Sequence, residues 1–96
     1  LRAPMVGHLG DGNFHVILPY DPKEEGPYNK IRDFSDLLIE KTLELNGTIT
    51  GEHGVGLHKK AYLLKEHGDC IPLMKSIKRS IDQNNIMNPG KIFDLN

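Results

Sequence analysis

The alternation of apolar and polar positions near the start of the chain predicts a β-hairpin. Residues 5–9 and 14–18 are rich in apolar side chains and flank the sequence Gly-Asp-Gly-Asn at positions 10–13. Asp11-Gly12 at the centre suits a two-residue type I′ turn, which needs a positive φ at both central positions. Counting outward from that turn places Leu9 opposite Phe14 and His8 opposite His15.

This register also divides the hairpin into two faces, because successive side chains of a strand point to opposite sides. The predicted core face carries Met5, Gly7, Leu9, Phe14, Val16 and Leu18. The other face carries Val6, His8, His15 and Ile17. The two histidines are therefore expected side by side on the face away from the core.

Apolar residues at helical spacing predict two main helices. The first extends from about residue 28 to residue 46, where Asn46-Gly47 ends it. Its apolar stripe is formed by Ile31, Phe34, Leu38 and Leu45, widened by Leu37 and Thr42. The second begins near Asp69, which is expected to cap it, and extends to about Asn84. It is expected to bury Ile71, Met74, Ile77 and Ile81.

The stretch between the two helices is less regular. Thr48-Ile49-Thr50 is β-branched throughout and predicts a short third strand, whereas residues 51–56 are too rich in glycine for a regular element. Residues 57–64 suit either a short helix or a lysine-bearing loop. The order β-β-α-β-α predicts an α+β fold in which two main helices pack on one face of a small antiparallel sheet.

Composition narrows the class of protein without identifying it. Ninety-six residues make one small domain at most, and the formal net charge of −1 does not favour nucleic acid or an anionic membrane as a partner. The apolar runs are far shorter than the roughly 20 residues that span a bilayer. The single cysteine excludes an internal disulfide. The chain opens on Leu-Arg-Ala-Pro-Met with no apolar signal segment, so an intracellular domain is expected. Its start at Leu1 instead of an initiator Met suggests a segment of a longer protein.

The two hairpin histidines are candidate metal ligands. Directly opposed partners have Cβ atoms about 4.5–5.5 Å apart, and two imidazoles that close can converge on one divalent metal. Glu52 in the glycine-rich segment supplies a third ligand, which leaves the neighbouring His53 available as a general base. Such a set of two histidines and one carboxylate suits zinc, iron or manganese. The alternative is that these are ordinary polar residues on exposed surfaces.

Three motifs together resemble one known family. Residues 7–15, GHLGDGNFH, resemble the GHxGDGNxH motif of the FAD-linked oxidase C-terminal domain. That family includes D-lactate dehydrogenases, the FAD subunit of glycolate oxidase and D-2-hydroxyglutarate dehydrogenases. Residues 51–56, GEHGVG, are similar to its GEHGxG segment, and residues 88–91, NPGK, to its closing NPGK. The order and separation of the motifs make the resemblance far more specific than any one of them.

The resemblance implies a role for each candidate residue. His8, His15 and Glu52 match the ligands of an active-site divalent metal, and His53 matches the histidine that takes the proton of the substrate hydroxyl. Asn88 falls in the motif that lies near the flavin. The implied reaction oxidises a D-2-hydroxyacid to the 2-oxoacid and passes a hydride to FAD. The implied location is the cytoplasm of a bacterium or the mitochondrion of a eukaryote.

The FAD-binding domain of the family is not in this sequence, so the chain is interpreted as part of a larger C-terminal domain whose main flavin contacts lie elsewhere. The rest of the parent flavoenzyme is the expected partner. Alone, the segment is expected to be inactive and to self-associate through exposed apolar surface. Ile17 stands where 2-hydroxyglutarate-type members have an asparagine, which favours a smaller substrate such as lactate or glycolate.

Two other interpretations remain open at this point. One is a self-contained oxygenase or hydrolase that uses His8, His15 and Glu52, although the predicted strands are too few for the barrel or sandwich that usually encloses such a metal. The other is a non-catalytic interaction module with structural histidines. It predicts that replacing His8 and His15 by alanine changes no metal content.

Overall fold

A computed structural model describes residues 2–96. It confirms the predicted α+β class. The chain forms two compact units, Leu1–Gly47 and Thr48–Asn96. The regular elements are strands β1 (Met5–His8) and β2 (Asn13–Val16) and helices α1 (Pro27–Glu44), α2 (Lys60–His67) and α3 (Ile71–Ile81). Within residues 2–96, none of the helices combines the length and the apolar character that a membrane span requires.

The predicted hairpin forms, but in a different register. Met5 lies opposite Val16, Val6 opposite His15, Gly7 opposite Phe14 and His8 opposite Asn13. The prediction that His8 lies opposite His15 is therefore wrong. The connection is longer than a two-residue turn: Leu9–Asp11 forms a 3₁₀ turn, and Gly12 adopts the left-handed conformation with φ 73° and donates its N–H to the Leu9 carbonyl at 3.0 Å.

The two faces of the hairpin nevertheless keep the predicted residues. The register differs by two positions, and only an odd shift moves side chains to the opposite face. Val6, His8 and His15 thus share one face, while Met5, Gly7, Phe14 and Val16 share the other. The latter is not a buried core face in this chain, since Met5 is 68% exposed and Phe14 44%.

Helix α1 follows the predicted span closely. Pro27 occupies its first turn, where a missing N–H costs nothing. Ile39 is its buried residue, whereas Leu37 and Leu45 of the predicted stripe are exposed. The helix ends as predicted: Asn46 has a positive φ of 61°, and Gly47 donates its N–H to the Thr42 carbonyl at 2.8 Å.

The predicted third strand does not form. Ile49 is buried, but its N–H donates to the Glu66 carboxylate at 3.2 Å instead of to a neighbouring strand. The hydroxyl of Thr48 donates to the same oxygen at 3.1 Å. Glu66 belongs to α2, which resolves the open choice for the lysine-bearing segment in favour of a helix. A side chain thus satisfies the backbone group that a β-ladder would have used.

Helix α3 is shorter than predicted at both ends. It begins at Ile71 with Cys70 as its N-cap, because Asp69 lies in a separate 3₁₀ turn (Gly68–Cys70), so the predicted cap at Asp69 is wrong. It ends at Ile81, because Asp82 leaves the helical conformation with φ −117° and ψ 69°. Ile71 is buried, but Ile77 and Ile81 are 51% and 75% exposed, so the predicted burial of the apolar stripe holds only at its N-terminal end.

Candidate functional site

The hairpin presents its two histidines on one face as a diagonal pair. His8 ends β1, and His15 lies two positions beyond the residue directly opposite it. Backbone positions related in this way are about 7–8 Å apart, a distance that long or aromatic side chains can bridge. The two histidines share a face of the hairpin, although not in the directly opposed geometry that the sequence predicted.

Gly7 is required by the close approach of the two strands. A Cβ at this position would lie 2.5 Å from the carbonyl oxygen of Asn13 and 2.6 Å from the Cα of Phe14. Both contacts are with backbone, which cannot swing aside as a flexible side chain does. The glycine directly before His8 therefore allows β2 to pass close enough to hold His8 and His15 in their register.

In the second unit, a short network of hydrogen bonds closes the loop that carries Glu52 and His53. The hydroxyl of Thr50 donates to the carbonyl of Gly54 at 2.8 Å, and the N–H of Gly54 donates to the carbonyl of Gly51 at 3.3 Å. The ammonium group of Lys59 in turn donates to the Thr50 hydroxyl at 3.1 Å. These contacts fix the loop at its base.

Glu52 and His53 lie at the tip of this loop and are accessible. The Nε2 atom of His53 is 3.7 Å from Oε1 of Glu52. The side chain of His53 is 70% exposed and that of Glu52 47%. An accessible carboxylate can bind a metal ion. An accessible imidazole beside it can accept a proton from a small molecule.

Asn88 initiates a tight turn that is joined to the same loop. Asn88 has a positive φ of 47°, and its carbonyl accepts the N–H of Lys91 at 3.3 Å. One residue later, Ile92 donates its N–H to the carbonyl of Gly56 at 2.8 Å. The second unit thus brings together the segments that carry Glu52, His53 and Asn88. His8 and His15 belong to the first unit.

Comparison with known proteins decides the family. The sequence model described as FAD linked oxidases, C-terminal domain, matches residues 1–92. The chain belongs to this family.

Relatives of this FAD-linked oxidase chain carry names of two kinds. The probable mitochondrial D-lactate dehydrogenase of Danio rerio is 43% identical over 96 residues, which are 99% of this chain and 19% of the relative. D-lactate dehydrogenase (cytochrome) 1, mitochondrial, of Saccharomyces cerevisiae is 47% identical over 90 residues, 93% of this chain and 15% of the relative. Glycolate oxidase subunit GlcD of Bacillus subtilis is 44% identical over 90 residues, which are 91% of this chain and 19% of the relative. The chain thus spans less than a fifth of each of these relatives.

One buried residue of this FAD-linked oxidase segment was missed by sequence reasoning. Asp82, directly after α3, is 7% exposed and accepts the N–H groups of Ile86 at 3.0 Å and Met87 at 2.9 Å. The ammonium group of Lys78 also donates to its carboxylate. A basic residue four positions before an acidic one was the available signal, but nothing in the sequence shows that this acid is buried.

The contacts of Asp82 keep it ionised. The hydrogen bond from Lys78 lowers the pKa of Asp82 from 3.8 to about 2, and the two backbone N–H groups add to this against the opposing effect of burial. The carboxylate is therefore a fixed negative charge at neutral pH, surrounded by donors.

Beside this carboxylate lies a groove of about 270 Å³. Its lining combines apolar side chains with two amides, two ammonium groups and the Asp82 carboxylate. Among its residues are Ile81, Met87, Asn88, Lys91 and Phe93. The turn that begins at Asn88 therefore lines an open concave surface.

Proposed function

We propose that the chain is the C-terminal segment of an FAD- and divalent-metal-dependent dehydrogenase that oxidises a D-2-hydroxyacid of lactate or glycolate type. The single observation that carries this proposal is the family match over residues 1–92, which contains all three motifs. The names of the relatives support the substrate class, because they are D-lactate dehydrogenases and glycolate oxidase subunits. Ile17, which is 48% exposed, favours the smaller substrates in this class.

For the metal, we assign His8, His15 and Glu52 as ligands. Two imidazoles on one hairpin face and an accessible carboxylate form a donor set that fits zinc, iron or manganese and leaves positions open for substrate. When bound, the metal would polarise the substrate hydroxyl and lower its pKa.

His53 is assigned the role of general base. Its imidazole would accept the proton of the substrate hydroxyl, and the neighbouring Glu52 would keep the base close to the point where that hydroxyl is held. FAD, when bound, would supply the acceptor for the α-hydrogen of the substrate and its electron pair. Asn88 would contact the flavin, whose remaining contacts come from a part of the enzyme outside this chain.

The proposed partners and location follow from the same family. The rest of the parent flavoenzyme would cover apolar residues of α3 that are exposed here, such as Leu73 and Ile77. An isolated 96-residue segment would be inactive and would self-associate, which sedimentation can measure. The two D-lactate dehydrogenases compared above are named mitochondrial, and we place the enzyme in the mitochondrion of a eukaryote or the cytoplasm of a bacterium.

The proposal is tested on the full-length protein that contains this chain. Anaerobic D-lactate or glycolate should reduce its bound flavin, and His53→Ala should slow this reduction by about 10²–10⁴-fold, the usual contribution of a general base. Glu52→Gln should remove the bound metal. His67→Ala is a matched control, because His67 also follows a glutamate with 3.7 Å between the same two atoms.

Two results would contradict the proposal. A full-length protein that holds a stoichiometric metal but no flavin would favour the self-contained metalloenzyme. A protein that holds neither, and whose metal content is unchanged in His8→Ala and His15→Ala, would favour the interaction module.

A further inference from the structure

We infer that Asp82 and Lys78 are positioning residues that hold Asn88 in place at the flavin, an inference that rests on the proposed function. Asp82 lies six residues before Asn88 and does not belong to any of the three motifs. Its contacts are directed at the backbone between itself and Asn88. A buried carboxylate thus lies beside residues 85–87, the segment that leads to Asn88.

The first step is that Asp82 fixes the segment at its N-terminal side. Its carboxylate accepts the N–H groups of Ile86 and Met87, and its carbonyl accepts the N–H of Asn85 at 3.0 Å. Lys78 binds the carboxylate and also donates to the carbonyl of Met87, the residue directly before Asn88. The ion pair thus holds Ile86 and Met87, and the backbone carbonyl of Asp82 holds Asn85.

The second step is that burial of apolar side chains cannot hold this segment. Ile86 is 76% exposed and Met87 is 61% exposed. In addition, Asn85 and Asn88 have positive φ values of 50° and 47°, a conformation that asparagine adopts more readily than other residues with a Cβ but still at a cost relative to the right-handed region. The conformation therefore needs a compensating interaction, and the charged hydrogen bonds of Asp82 provide one.

The third step is that the segment is also fixed at its C-terminal side. Ile92 donates its N–H to the carbonyl of Gly56, beyond the turn that Asn88 begins. With the Asp82–Lys78 pair on one side and this bond on the other, the position of Asn88 is determined by contacts that do not include its own side chain. A change at Asp82 should therefore displace Asn88 while the Asn88 side chain itself is retained.

The experiment uses the full-length flavoenzyme with Asp82→Asn, in which an amide NH₂ replaces one of the accepting oxygens. Asp94→Asn is the matched control, because Asp94 also pairs with a lysine, Lys60, at 2.8 Å, but its side chain is 74% exposed. The measurements are the visible absorbance and circular dichroism of the bound flavin, kcat and KM for D-lactate or glycolate, and the melting temperature.

Asp82→Asn should alter the visible flavin spectrum and lower kcat by about tenfold, the scale of losing hydrogen bonds to a charged group, with KM changed by less than about twofold. Asp94→Asn should leave the spectrum and kcat as in the wild type. If Asp82→Asn fails to fold, Lys78→Met serves instead, since it removes the ion pair and the contact with the Met87 carbonyl while leaving the backbone N–H contacts of Asp82.

An unchanged flavin spectrum and kcat in the folded Asp82→Asn protein, or in Lys78→Met where it serves instead, would overturn the inference while leaving the proposed function intact. A wild-type protein that contains no flavin would overturn the proposed function and the inference with it. A lower melting temperature with an unchanged spectrum would show that the ion pair only stabilises the fold, and would also overturn the inference.

Discussion

The backbone N–H of Ile92 donates to the carbonyl oxygen of Gly56 at 2.8 Å, so the closing turn and the Glu52-His53 loop are joined through their backbones. Both residues have a positive φ. Gly56 has a φ of 56°, and Ile92 has a φ of 70°, which is rare for a β-branched residue. The hydrogen bond between Ile92 and Gly56 therefore depends on the positive φ of both residues, which the surrounding contacts must maintain.

The first prediction concerns that geometry. Gly56→Ala should destabilise the protein by about 1–2 kcal/mol, because a residue with a Cβ is strained at positive φ. Gly68→Ala is a matched control, since a Cβ meets nothing within 4 Å at either position, but Gly68 has a φ of −51°. The control should be neutral or slightly stabilising. Urea unfolding of the full-length Gly56→Ala and Gly68→Ala proteins measures both changes in stability. Equal unfolding midpoints for the two variants would contradict the prediction.

The hairpin shows what its sequence could and could not predict. The faces of Val6, His8 and His15 were predicted correctly, because alternation survives a shift of two positions. The predicted register was wrong, because Asp11-Gly12 fits a two-residue turn as well as it fits the longer connection that forms. Short-range turn chemistry alone does not choose between the two.

The second unit shows a different limit of local patterns. The β-branched triplet Thr48-Ile49-Thr50 has the propensity of a strand, but the Glu66 carboxylate takes its backbone N–H. The burial of Asp82 is equally invisible in the sequence, because it depends on where the chain returns after α3. The motif residues His8, His15, Glu52, His53 and Asn88 could be named from sequence, and their joint assembly into one site stays a prediction.

A second prediction separates a packing requirement from a turn requirement within the hairpin. Gly7→Ala should destabilise the hairpin by about 1–3 kcal/mol, as overpacking does, because the new Cβ would overlap the backbone of Asn13 and Phe14. Gly10→Ala is the matched control: it lies in the same motif, and a Cβ there meets nothing within 4 Å.

The same pair of variants also tests the proposed metal site. Because the strands would have to separate, Gly7→Ala should lower the metal content of the full-length protein although every ligand is retained. Hydrogen exchange of the β1 and β2 amides, measured beside metal content, checks both effects. If Gly7→Ala keeps wild-type protection and metal, the close approach of the strands does not matter for the site.

The third prediction concerns acid stability. The pKa of Asp82 is lowered from 3.8 to about 2 in the folded protein, first by the hydrogen bond from Lys78. A group whose folded pKa is depressed stabilises the fold above its unfolded pKa, and this contribution is lost as the pH falls through the folded value. The stabilisation from Asp82 should therefore be complete above about pH 4 and should disappear between about pH 4 and pH 2.

Asp82→Asn should remove that pH dependence, because an amide does not titrate. Its free energy of unfolding should be lower than that of the wild type at neutral pH, and the difference should shrink steadily as the pH falls from 4 to 2. Asp94→Asn should change the acid profile less, because Asp94 is exposed and solvent screens its pair with Lys60. Chemical unfolding at a series of pH values measures the difference. A gap between wild type and Asp82→Asn that stays constant down to pH 2 would show that the carboxylate acts through its shape and not through its charge.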